Sequence, residues 1–272
     1  MGARDQLQQV RRLVPASRLP GMVADKVDKL WADPAYRELN EAPMRFLLAR
    51  TDRAGEVPEL ARKYAEHAMM RRWMRWKPHL ITRQEIRGTE HIDRSRPVIL
   101  NFMHHHQFDG LFGSLKRVGV ECHVLVLDAA MQPDAPIDIR QHVNVVRRGG
   151  PLVSTAGGSQ AVIDAMAPGV VMAMASDVPG QTEVEFLGQR VRGSFGAARI
   201  AALTDSQVVV ATAERGGDAP YVQLHAPLEP GDFADPKDLL DAMLRLHEPA
   251  ILAWPEALED PGSRFGKLDE VV

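Results

Sequence analysis

Four short runs of almost unbroken apolar residues constrain this chain most: PVILNF (97–102), ECHVLVLD (121–128), GVVMAMAS (169–176) and QVVVATAE (207–214). A strand with one face in water alternates apolar and polar residues. A strand that is apolar throughout must be covered on both faces, the condition of a parallel sheet sandwiched between helices. Between these runs, residues 111–118, 159–166 and 196–203 carry apolar side chains at helical spacing. Further strand candidates are ITRQEIRG (81–88), HVNVVR (142–147), EVEFLG (183–188) and YVQLHA (221–226). Residues 236–247 read as a helix, with Asp235 as N-cap and proline at the first helical position. The first 80 residues read as helical instead, over 20–31, 42–50 and 58–76. The expectation is an α/β fold: a mostly parallel central sheet flanked by helices, with a helical amino-terminal cover over residues 1–80 and an α/β core over 81–272. Nothing between them reads as a linker, so one domain is expected.

With 272 residues, 45% of them apolar and 25% charged, the chain can bury a full core. A net charge of −3 gives no global attraction to nucleic acid or to an anionic membrane. Cys122 is the only cysteine, which excludes an internal disulfide; inside an apolar strand it reads as a small buried hydrophobe. The first 22 residues are mixed and charged, without a signal-peptide core, and Gly2 lacks the serine or threonine of a myristoylation signal. No apolar run reaches the roughly 18 residues of a membrane-spanning helix. A cytoplasmic protein is expected.

The segment MMRRWMRWK (69–77) combines tryptophan, methionine and basic residues on a predicted helix. That mixture suits a membrane interface, with rings at headgroup level and cations toward anionic lipid. It equally suits a cover helix whose tryptophans and methionines pack inward. The first reading would put the protein peripherally at the inner face of a membrane.

Directly after the first apolar run comes HHHQFDG (104–110). In open α/β sheets the crevice beyond a strand's carboxyl end is where ligands bind. A histidine acting as a base needs an acidic partner to fix its tautomer and to stabilise the imidazolium. Asp109 can serve His105 through helical geometry, or reach back to His104 across the turn. The plain alternative is a polar tract capping a strand end. Two templates fit the letters. HHxxxDG, which includes Gly110, is that of peptide-synthetase condensation domains and chloramphenicol-acetyltransferase-like enzymes. Condensation domains need two lobes, however, and the smaller acetyltransferases carry the motif late, whereas more than half of this chain follows it.

The other template, H-x-x-x-x-D, is that of the glycerolipid and lysophospholipid acyltransferases. The chain resembles in particular the branch of lipid A late acyltransferases and phosphatidylinositol mannoside acyltransferases. RGTEHI (87–92), the apolar strand, His104, Gln107, Phe108 and Asp109 follow in that family's order. Residues 169–229 resemble its second half, with Asp177 at a strand end, Phe186-Leu187-Gly188, and Gly196-Ala197-Ala198 opening a helix. The chain departs in its extra histidines, in Leu187 where an aromatic is usual, and in lacking an amino-terminal hydrophobic anchor.

The resemblance implies a glycerolipid acyltransferase-like fold and transfer of a fatty acyl group from acyl-CoA or acyl carrier protein to a hydroxyl or amine of a lipid or lipid-like acceptor. It implies His104 as base with Asp109, His105 as the rival, Glu183 as an acidic helper with Glu185 on the same strand side, and substrate contacts at Gln107, Phe108, Asp177 and Phe186. Beyond the thioester co-substrate it implies no cofactor and no metal. Guanidinium groups suit phosphate, so Arg147, Arg148 and Arg192 are candidate headgroup or pantetheine contacts, with Arg190 and Arg199 beside them. Gly149-Gly150 and Gly157-Gly158 lack nucleotide-binding spacing and read as turns. Two further readings stay open: a soluble biosynthetic acyltransferase acting on a small molecule or carrier-bound peptide, and a non-catalytic acyl- or lipid-binding protein.

Overall fold

A computed structural model describes residues 10–267; Gly2 and most of the charged amino-terminal stretch read above lie outside the described residues. Three helices come first: α1 (Leu19–Trp31), α2 (Pro34–Leu48) and α3 (Val57–Met74). Helix α2 begins well before its apolar spacing suggests, because Asp33 accepts a hydrogen bond from the Ala35 amide and Pro34 starts the helix.

The α/β part then runs β1 (Glu85–Arg87), β2 (Val98–Phe102), α4 (Leu111–Arg117), β3 (Cys122–Val126), α5 (Ile137–Val146), β4 (Leu152–Ser154), α6 (Gly158–Ala165) and β5 (Val171–Ala175). It continues with β6 (Thr182–Phe186), β7 (Gln189–Gly193), α7 (Gly196–Thr204), β8 (Gln207–Glu214), β9 (Tyr221–Leu224), α8 (Pro236–Ala253) and β10 (Gly266–Lys267). Seven strands form one sheet in the order β1-β9-β8-β2-β5-β3-β4. Strands β8, β2, β5, β3 and β4 are parallel, while β9 runs antiparallel to β8 and takes β1 with it. The sheet is mostly parallel, as expected, with one reversed edge.

The central strands are buried along their length, and their side chains divide between two cores by period two. Ile99, Met172, Met174, Val208 and Val210 join residues of α2, α3, α7 and α8 on one face. Val98, Leu100, Val171, Ala173 and Val209 join residues of α4 and α5 on the other. The helical cover therefore packs on the sheet: Met44, Leu47, Leu60 and Ala61 belong to the first core.

HVNVVR is not a strand. It is the end of α5, which buries Val143, Val145 and Val146. A short β-branched run carries no period that separates a strand from a buried helical turn. The short edge strand β4 falls just after it. ITRQEIRG shrinks to β1, because residues 78–81 form a helical turn.

A second, three-stranded antiparallel sheet holds β6, β7 and β10. Phe186 pairs with Gln189, so Leu187 and Gly188 form a two-residue loop. Both have positive φ, 51° and 70°, the geometry that matches strand twist in a tight hairpin. Leucine is ill suited to that conformation; the Glu248 carboxylate, accepting from the Leu187 amide at 2.7 Å, helps to hold it there.

Candidate active site

Parallel pairing of β2 with β5 builds the centre of the site. The register runs from Val98 opposite Val171 to Phe102 opposite Ala175. Continued for two residues past the strand ends, it brings His104 beside Asp177. His104 Nδ1 lies 2.8 Å from Asp177 Oδ1, and the His104 amide donates to Asp177 Oδ2 at 2.8 Å. One carboxylate thus fixes both the backbone and the ring of His104. Beneath them Asn101, without exposed surface, donates to Met174 O at 3.1 Å and to Ser176 Oγ at 2.7 Å, and accepts from His247 Nε2 at 2.9 Å.

The His104 ring stands edge-on to Phe108, with centroids 4.5 Å apart, and also touches Phe102. Its side chain is 14% exposed. Burial pushes its pKa below the usual histidine value, and Asp177 opposes that without reversing it. The ring is therefore neutral at neutral pH, with Nδ1–H directed at Asp177 and the Nε2 lone pair without a hydrogen bond among the described residues. Burial alone would raise the Asp177 pKa; the hydrogen bonds from the His104 ring and amide, with the Arg264 charge, hold it below the ordinary carboxylate range.

Asp109 does not partner either histidine. Its carboxylate is bonded by Arg75 Nε at 3.0 and 3.1 Å and by His142 Nδ1, with 1% of the side chain exposed. Burial would raise its pKa, but Arg75 and His142 drive it far below the usual range. Asp109 lies in a 3-10 turn at the entrance to α4, facing α3 and α5 instead of the β2 end. His105 is buried and its Nε2 donates to Trp254 O at 2.9 Å, so that nitrogen is already spent on the backbone. His106 faces His67 at 3.3 Å and stacks on Trp254.

Glu183 is exposed and ion-paired to Arg190 across the β6–β7 hairpin, and Glu185 is likewise exposed. Neither has a bond to the histidines, so the acidic-helper expectation gives way to a solvated strand face. Phe186 is core, stacked on Phe265 with centroids 4.7 Å apart. Gln107 uses its carbonyl to accept from Gln84, while Phe108 lies between the His104 and His142 rings. Arg147 and Arg148 are exposed after α5, and Arg192 donates to Gln181 at 3.1 Å; none of the three bonds the His104–Asp177 pair.

Several charged residues at the centre went unnoticed in the sequence. Arg71 in the last turn of α3 and Arg75, the residue that caps it, point inward to Asp109 and Glu259. Lys77 is also buried, bonded to the carbonyls of Arg11 and Arg12. Three of the four basic residues in 69–77 are thus turned inward, and only Arg72 is exposed. That segment carries no outward cationic stripe, which corrects the interface reading of its charges. The i, i+4 spacing of Arg71 and Arg75 beside inward tryptophans was the available signal.

A narrow pocket of about 20 Å³ lies between the ends of β2 and β8 beneath α8, lined by Phe102, Met103, Phe108 and Ala211, with His105 and His247 as polar groups. Among the described residues no cluster of His, Cys, Asp or Glu is arranged to hold a metal ion. No helix among them is long and apolar enough to cross a membrane.

At the carboxyl end of parallel strands a histidine is bonded to a buried carboxylate; the H-x-x-x-x-D spacing pointed to Asp109, and the carboxylate on the ring is Asp177 instead. The family model for bacterial lipid A biosynthesis acyltransferases matches residues 57–258. The chain belongs to that family. It is an acyltransferase of lipid biosynthesis, and the condensation-domain template is set aside. Gly110, the last letter of that template, has a packing reason: a Cβ there would come within 2.0 Å of the Ile81 carbonyl oxygen. No curated protein matches the chain. Among solved structures, the 1-acyl-sn-glycerophosphate (LPA) acyltransferase PlsC from Thermotoga maritima aligns at 12% identity, covering 92% of this chain and 95% of that one, with a TM-score of 0.45. The matched stretch includes Arg71, Arg75, the histidines and Asp177, and stops one residue before Glu259.

Proposed function

We propose that this acyltransferase moves a fatty acyl group from acyl-CoA or acyl carrier protein to a hydroxyl or amine of a lipid acceptor, with His104 as general base and Asp177 as its orienting acid. The observation that carries this is the neutral His104 ring, tied to a buried carboxylate at Nδ1 and unbonded at Nε2. Nε2 takes the proton of the acceptor hydroxyl as its oxygen attacks the thioester carbonyl. The tetrahedral oxyanion collapses, the carbon–sulfur bond breaks, and the imidazolium returns its proton to the departing thiolate. Asp177 stays ionised throughout and stabilises the imidazolium. General-base help of this kind supplies about 10²- to 10⁴-fold, and positioning of the two substrates the rest.

The apolar lining beside Phe102, Met103 and Phe108 suits an acyl chain, which would have to widen so narrow a space on binding. A water-soluble donor and a lipid acceptor meet at a membrane's cytoplasmic face, and this reading places the enzyme there. In this reading cover and sheet work as one unit, because Met44 and Leu60 share a core with Ile99 and Met172.

The test is thiol release from palmitoyl-CoA and palmitoyl-acyl carrier protein in the presence of anionic lipid vesicles. Wild type should turn over and His104→Ala should lose at least a hundredfold, on the scale of general-base help. Undiminished turnover by His104→Ala would sink the mechanism, and a wild type inert with every donor would favour a binding protein.

A further inference from the structure

From Ala257 on, across the end of the family match, the chain returns to the site and closes on it. The segment 257–259 runs antiparallel beside the three histidines: the His106 amide donates to Ala257 O at 2.9 Å, His105 bridges Leu258, and the Glu259 amide donates to His104 O at 2.9 Å. Asp260, with a φ of 47°, then turns the chain, and its amide donates to the Tyr64 hydroxyl at 3.2 Å. One helical turn, Pro261–Arg264, leads to Phe265, which is fully buried, and to β10, paired with β7.

Arg264 is the residue this strap delivers. Its Nη1 donates to the Asp177 carbonyl at 3.3 Å, and its Nε lies 3.8 Å from Asp177 Oδ2. The rest of the guanidinium is held by Glu259, with Nη2 to Oε2 at 2.8 Å and Nε to the Glu259 carbonyl at 2.7 Å. Glu259 in turn sits 3.4 Å from Arg75 and 3.8 Å from Arg71. Asp177 has no exposed surface, and beside a neutral imidazole it would carry an uncompensated buried charge. Arg264 is the cation that compensates it.

We infer that Arg264, held by Glu259, is a positioning residue: it fixes the Asp177 carboxylate and thereby the tautomer and aim of His104, so that residues 259–267 complete the catalytic site. The inference rests on the His104–Asp177 reading. The charged groups facing His104 are Asp177 at the end of β5 and Arg264 and Glu259 on the strap; Arg71 and Arg75 from α3 stand behind Glu259. Arg264 disfavours the protonated His104 ring and Glu259 favours it, so removing them acts in opposite directions.

The experiment compares Arg264→Gln, Arg264→Lys, Glu259→Gln and Asp177→Asn, with His104→Ala as reference. It reads kcat and KM for thiol release from palmitoyl-CoA against pH, and the His104 imidazole titration by NMR. Arg264→Gln should lower kcat about ten- to a hundredfold with KM little changed, the scale of misplacing a catalytic group. Its His104 titration should move to higher pH and that of Glu259→Gln to lower pH. Arg264→Lys should recover part of the rate, and Arg264→Gln should cost little more in an Asp177→Asn background. Wild-type kcat and an unmoved titration in Arg264→Gln would overturn the inference, as would an equal loss with and without the Asp177 carboxylate. If His104→Ala is dead while Arg264→Gln is unaffected, the strap alone fails; if His104→Ala is active, the underlying site reading fails.

Discussion

His104 and His105 are adjacent and both buried or nearly so, yet their nitrogens face different chemistry. His104 presents Nε2 without a hydrogen bond, while His105 spends Nε2 on a backbone carbonyl. His104→Ala should therefore cost catalysis with little change in melting temperature. His105→Ala should do the reverse, lowering stability by about 1–3 kcal/mol through the orphaned Trp254 carbonyl and the space left behind. Thiol-release kinetics beside calorimetry of both variants separates them. The pH profile follows from the same geometry. Acting as the proposed base, His104 must be unprotonated, and burial holds its pKa below the ordinary 6.5, so the acid limb of kcat/KM should fall below pH 6.5. A limb centred above that value would contradict a desolvated base.

At the scale of elements, Asp109 ties helices together. It receives Arg75 from α3 and His142 from α5 at the point where α4 begins. Asp109→Ala would leave Arg75 buried without its main counter-ion, and one-sided loss of a buried pair typically costs about 3–5 kcal/mol. A denaturant midpoint shifted by that amount is expected, with partial recovery when Arg75 is also replaced by Met. Gly110 gives a second test at the same joint. Gly110→Ala should destabilise strongly because the Ile81 backbone is in the way, whereas Gly55→Ala, with nothing within 4 Å, should be nearly neutral. Equal melting temperatures for the two would show that the close approach is not real. The sequence marked Asp109 as important but not why, since its partners come from helices 34 and 33 residues away along the chain.

For the whole molecule, the buried histidines dominate the response to acid. Burial holds His67 and His247 at about 3 and His105 at about 4, with His106 also well below its usual value. Unfolding returns each to about 6.5, so below that pH the unfolded chain binds more protons and stability is lost as pH falls. Glu259, held at about 2 by Arg71, Arg75 and Arg264 against its burial, adds to the same loss below about pH 4.5. Urea midpoints should decline steadily from pH 6.5 toward pH 4; a flat profile would mean these histidines are not buried as neutral rings. Cys122, its thiol pushed up to about 12 by burial, should resist alkylation until the protein unfolds.

What the chain's own pattern determined was local. Unbroken apolar runs required strands covered on both faces, helical spacing supplied the covers, and the histidines had to fall at the carboxyl end of β2. Where the pattern was ambiguous, as in HVNVVR, a helix could pass for a strand. The tertiary structure alone decided which carboxylate bonds His104. Asp109 is five residues away and Asp177 is 73, yet β5 lies next to β2 in register, and that pairing sets Asp177 against the ring. Periodicity is written in neighbouring residues. Strand order and the inward turn of Arg71, Arg75 and Arg264 arise from packing between segments far apart in the chain, which no local pattern records.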